Sequence, residues 1–153
     1  MRPPGRLPLG ALAGCAMAVP LTGWAASFGV FLHARDQWES RNPSDYHFVL
    51  ERQCYCAGPN RVRIRVSGGQ VTDVVDLESD LPIEDPEVRR GYPTVAELLS
   101  LIDDARRKTV DNLTITYHRT LGYPSRIYID YSYRMADDEV DYRLSEMVVE
   151  SVR

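Results

Sequence analysis

Lysine is nearly absent from this chain: Lys108 is its only one, and arginine supplies the rest of the 18 basic side chains. A basic excess is missing as well, with 22 acidic side chains and a formal net charge of −4. Residues 1–35 hold three of the bases (Arg2, Arg6, Arg35) and no acid, so the remainder carries 15 basic against 22 acidic groups. Phosphate binding needs a basic footprint, which excludes nucleic acid and anionic lipid as partners of that remainder. Catalytic signatures are also lacking. No nucleophile elbow and no glycine-rich phosphate cradle is present, and the three histidines (His33, His47, His118) stand in no local Ser–His–acid pattern. The expectation is a non-enzymatic protein with no cofactor and no metal site.

Charge is absent altogether from Leu7 to Leu32. As a helix this run would measure roughly 39 Å, enough to cross a bilayer with some tilt. Arg2 and Arg6 would keep its start cytoplasmic and send the remainder outward. Three readings stand: an uncleaved signal anchor, a signal peptide cleaved near Ala25 or Ser27, and a lipoprotein acylated at Cys15 of "LAGC". All three place the protein in the cell envelope, anchored to the membrane, secreted or periplasmic, or lipidated. The expected organisation is a signal or anchor segment over residues 1–35 and one extracytoplasmic domain over 36–153.

What is present reads as α+β. Tyr46, Phe48 and Leu50 alternate with His47, Val49 and Glu51, the period of a strand with one buried face. "RVRIRVSGGQVTDVV" is a hairpin signal, with Gly68-Gly69 able to supply positive φ at a tight turn. Val62, Ile64, Val66, Val71 and Val75 then face the core, and Arg61, Arg63 and Arg65 face out. The acidic, proline-bearing stretch Asp76–Pro93 reads as a surface loop. Its Asp76, Glu78, Asp80 and Glu87 mimic calcium-loop spacing, but Leu81 stands where the turn needs glycine. A helix follows. Thr94 and Glu97 form a capping-box pattern, and Val95, Leu98, Leu99, Ile102 and Ala105 make one apolar stripe. Burying its four large side chains contributes on the order of 6–12 kcal/mol, an upper bound for a compact unfolded chain. Two strands joined near "LGYP" point Leu113, Ile115, Tyr117, Ile127, Ile129 and Tyr131 inward, and "EVDYRLSEMVVE" is a last strand. The expected architecture is a single amphipathic helix packed on an antiparallel sheet of five or six strands.

Two candidate sites emerge. Cys54 and Cys56 lie one residue apart at a strand end. In ideal strand geometry their Cα atoms would be roughly 6.6–6.8 Å apart, so a disulfide requires the chain to bend at Tyr55. With Cys15 assigned to the leader, an even pair remains, as an oxidising compartment favours. A redox-active pair or a metal clamp built on Cys54-Tyr55-Cys56 is the alternative. The second candidate is the solvent face of the sheet, carrying Arg61, Arg63, Arg65, Thr114, Thr116, His118, Tyr128 and Asp130. Arginine and tyrosine are enriched at protein interfaces, which suggests a protein partner.

Trp38, "DYHFVLERQCYC", "VSGGQV", "YPTVAELLSLI", "LGYPSRIYIDY" and the late "DDE" with Tyr142 together resemble the bacterial exported proteins and lipoproteins grouped as domain of unknown function 6174. The resemblance runs from about Trp38 to Leu144. It implies that the cysteine pair and the "GYP" turn belong to the domain's construction and that an exported location is usual. The expected layout is also similar to PepSY-like and beta-lactamase-inhibitor-like domains, which bind proteins through a sheet face.

Overall fold

The computed structural model describes residues 23–135 and 137–150. Cys15 and most of the apolar leader lie outside them. The elements run α1 (Gly23–Glu39), β1 (Tyr46–Gln53), β2 (Arg61–Ser67), β3 (Gln70–Asp76), α2 (Pro86–Arg89), α3 (Val95–Lys108), β4 (Asn112–Tyr117), β5 (Pro124–Asp130) and β6 (Val140–Val149). The six strands form one open antiparallel sheet in the order β3-β2-β1-β6-β5-β4. Two three-strand meanders are joined by the crossover through α3, and the first and last strands meet at the centre. The expected α+β fold is therefore present.

Local chemistry explains most elements. Gly68 and Gly69 adopt φ of 58° and 76°, the double positive φ that a two-residue hairpin turn demands. Thr94 caps α3: its hydroxyl accepts from the Glu97 amide at 3.2 Å, and the Glu97 carboxylate accepts from the Thr94 amide at 2.7 Å. The stripe Val95, Leu98, Leu99, Ile102 and Ala105 is buried.

Three expectations are corrected. The helix is not single. Helix α1 sends Phe31, Ala34 and Trp38 into the same core as α3, so that core takes in residues on the leader side of a boundary at residue 36. No helix among the described residues is long and apolar enough to cross a membrane. On β3, Val71 and Val74 turn towards the core while Val75 stands opposite Arg63, because a bulge at Thr72 inserts one residue and flips the parity beyond it. Tyr131 lies past the end of β5 and is exposed, not inward. Within the acidic loop, Asp85 accepts from the Glu87 amide at 2.8 Å and caps the short helix α2, with Pro86 at its first position.

Turn 118–123 clasps α1. Gly122 has φ of 78°, and a Cβ there would sit 2.1 Å from the Ala34 carbonyl oxygen. Trp38 meets Tyr46 and Tyr123 edge-on, with ring centroids 5.2 and 6.1 Å apart.

Candidate functional site

Both long helices contribute to one core on one side of the sheet, and the alternating arginines of β2 look out on the other. Register then decides which side chains meet there. Arg61 lies opposite Glu51, Glu51 opposite Arg143, Arg143 opposite Arg126, and Arg126 opposite Thr116. One cross-strand row thus spans five strands. Arg61 Nε donates to Glu51 Oε1 at 3.1 Å. Arg126 and Arg143 are like charges in directly opposed positions, a destabilising arrangement by itself. Asp141 resolves it, accepting from Arg126 Nε at 3.1 Å and Nη2 at 2.9 Å, and from Arg143 Nη2 at 3.2 Å. The hydrogen bond from Arg126 holds the Asp141 carboxyl below the usual carboxylate range, against the opposing effect of its partial burial.

At the other end of the face, Glu150 Oε1 accepts from Arg65 Nη1 at 3.1 Å and lies 3.9 Å from His47 Nδ1. Arg63 makes no ion pair among the described residues and is exposed. Val49 sits beside it in register and is 1% exposed, a buried apolar patch within a polar face.

The anticipated residues are therefore not one compact cluster. Arg61, Arg63 and Arg65 stand on β2, while Tyr128 and Asp130 stand on β5, three strand spacings or roughly 14 Å away. The residues that bridge them (Glu51, Arg126, Asp141, Arg143) were missed, because only the β1–β6 and β5–β6 pairings reveal that they adjoin. His118 does not join the face. Its ring stacks on Tyr123 at 4.9 Å and its Nδ1 accepts from the Leu121 amide at 3.1 Å, making it a turn-forming residue.

The cysteine pair borders the same face. Strand β1 ends at Gln53, the chain bends, and Cys54 and Cys56 are joined by a disulfide (S–S 1.95 Å, Cα–Cα 5.2 Å). Tyr55 projects from the bend, 94% exposed. A groove of about 310 Å³ lies between this corner and Tyr128, walled by Asp137, Glu139 and Asp141. It adjoins a second of about 280 Å³ under Arg61 and Arg143, the two sharing Gln53 and Asp141. Among the described residues no three His, Cys, Asp or Glu side chains converge as metal ligands would.

Beneath the corner lies Arg52, 2% exposed, which sequence reading did not single out. Its guanidinium covers the Tyr92 ring at 4.0 Å and donates to the carbonyls of Gly91 at 3.0 Å, Pro59 at 3.3 Å, and Ala57. Tyr92 in turn donates to Pro59 O at 2.9 Å. Arg52 thereby ties the disulfide corner to the segment that leads into α3.

Residues 31–149 match the model of a family described as "Family of unknown function (DUF6174)". No curated protein and no solved structure matches the chain. The match takes in the six strands, α3, the cysteine corner and the core half of α1, so this chain belongs to the DUF6174 family.

Proposed function

We propose that the chain is a non-enzymatic protein-binding module of the cell envelope, acting through the helix-free face of its sheet with the disulfide corner as one rim. The observation that carries this reading is the row of arginines and carboxylates across β2, β1, β6 and β5, held by hydrogen bonds beside the half-buried Tyr128 and the exposed Tyr55. Guanidiniums fixed before contact lose less rotamer freedom on binding, and arginine and tyrosine dominate interface hot spots. Arg63, without an ion-pair partner among the described residues, is the natural first contact for a partner carboxylate.

A closed Cys54–Cys56 bond suits an oxidising compartment, which supports an exported location. The N-terminal apolar segment serves as the membrane tether or export signal, with Cys15 as the lipidation candidate. Intact mass of the native protein reads this directly: full length means an anchor, and loss of the first 14 residues with added lipid means acylation at Cys15. The rival redox reading meets an unfavourable electrostatic setting. A thiolate at the corner would share its groove with Asp137, Glu139 and Asp141, and neighbouring carboxylates disfavour a second negative charge.

A photo-crosslinking residue at Tyr128 should trap a discrete partner in intact envelopes, and the Arg63→Glu, Arg65→Glu double variant should abolish the adduct. An unchanged adduct in the double variant refutes the assignment of this face. Free thiols in the native protein, alkylated without prior reduction, would instead favour the redox reading.

A further inference from the structure

The two edges of the sheet are treated differently. Along β3, the segment 81–83 closes part of the edge: Pro82 bridges to Val75, the Asp76 amide donates to Leu81 O at 2.9 Å, and the Ile83 amide to Val74 O at 2.8 Å. Along β4 no strand or bridge among the described residues covers the outer edge. Strand β4 reads NLTITY, with a β-branched centre and neither a charge nor a proline to deter pairing with another strand.

Two adjoining grooves follow this bare edge. One of about 360 Å³ is lined by Val30, Phe31, Arg106, Leu113, Ile115 and Tyr117. The next, about 440 Å³, continues past Arg106 and Leu113 to Asn112 and Thr109. Between them they touch five of the six β4 residues. The first groove also presents Ser27 and Thr114, and the second Asp111, Asn112 and Thr109; two polar atoms in the first stand apart. Arg106 Nη1 and Tyr117 OH are buried and have no hydrogen-bond partner among the described residues. The Arg106 guanidinium is held against the Phe28 and Phe31 rings, 4.6 and 4.9 Å from their centroids. Burial pushes the Tyr117 hydroxyl up to about 12, so it stays a donor.

We propose that this edge binds an extended segment of a partner protein, which adds to β4 as a seventh strand and sets one Asp or Glu carboxylate on Arg106 Nη1 and Tyr117 OH. Alternate side chains of such a strand point to one face, so an apolar residue two places from the acid enters the groove beside Leu113 or Ile115. A guanidinium Nη1 and a phenol hydroxyl buried with unfilled donors are costly, and a carboxylate satisfies both. A second copy of this chain pairing β4 to β4 brings no carboxylate within Asn112–Tyr117, and the adjoining Asp111 already accepts from the Tyr133 amide at 2.8 Å. A fatty acid supplies the carboxylate but leaves the strand's backbone groups unpaired. The site meets the outer row only at Thr116, shares none of its arginines or carboxylates, and stands or falls independently of it.

The test is to pan an unbiased library of eight-residue peptides against the full-length chain. Selected peptides should alternate apolar residues and carry one Asp or Glu. Changing that acid to its amide should weaken binding at least tenfold, as should Arg106→Gln, and the two losses should not add. Methylating alternate backbone amides on the pairing edge should abolish binding, whereas Arg63→Glu should leave it unchanged. Selected peptides without an acid, insensitivity to Arg106→Gln together with the acid-to-amide change, or full binding after amide methylation would overturn the proposal. Dodecanoate binding with no peptide selected assigns the groove to an amphiphile and overturns it too. So does a β4-dependent dimer in sedimentation with no peptide selected.

Discussion

Replacing Arg52 with methionine removes a guanidinium that is 2% exposed and faces three carbonyl oxygens and an aromatic ring but no carboxylate. The Gly91 and Ala57 bonds come from a charged donor, a class worth about 1.5–3 kcal/mol each, while the 3.3 Å contact to Pro59 O adds little. Stacking on Tyr92 adds about 1–2 kcal/mol in a desolvated setting. Against this, methionine relieves the cost of burying an unpaired charge, several kcal/mol after relaxation. The carbonyls left behind lose their donors, which tips the balance towards destabilisation by about 3 kcal/mol. With a urea m-value of about 2 kcal/mol/M, the unfolding midpoint should fall by about 1.5 M. Arg52→Lys should lose roughly half as much, since one ammonium does not span carbonyls on two separate segments. Urea titration followed by intrinsic fluorescence measures both, and amide exchange should speed up first across residues 54–60 and 86–92. An Arg52→Met midpoint within 0.2 M of the parent would refute the view that this side chain holds the corner in place.

Gly122→Ala should destabilise by more than about 2 kcal/mol and loosen α1, because it adds left-handed strain and drives a methyl into the Ala34 carbonyl; thermal unfolding and Trp38 fluorescence check this. Phe31→Ala should cost about 3–5 kcal/mol, and a chain starting at residue 36 should unfold at markedly lower urea than one starting at residue 23; equal midpoints would remove α1 from the core. Cys54→Ser with Cys56→Ser should cost no more than about 1.6 kcal/mol, the loop entropy of a three-residue ring, as read from the midpoint shift. The Asp141 carboxyl titrates below its unfolded value, so its stabilisation is present above about pH 4 and lost as pH falls through the folded value. Asp141→Asn should therefore flatten the acid limb of a stability–pH curve without steepening the neutral one.

Much of this protein was legible along the chain. The buried faces of β1 and β2, the Gly68-Gly69 turn and the Thr94 cap depend on side chains within a few residues of one another, and the backbone period shows them directly. The helical stripe of α3 is visible because its other face is polar. Helix α1 has no such contrast: Phe28, Val30 and Leu32 are as apolar as Phe31 and yet lie exposed, so the run reads as a leader and its core-facing side stays hidden. A one-residue bulge at Thr72 reversed the inward valine of β3, and no local pattern announces a bulge. The arginine row, the Arg52 anchor and the bare β4 edge are beyond sequence reading for one reason. Each depends on which strands are neighbours, and that is set by the pairing of β1 with β6, segments about ninety residues apart, once both have buried their apolar faces under the same two helices.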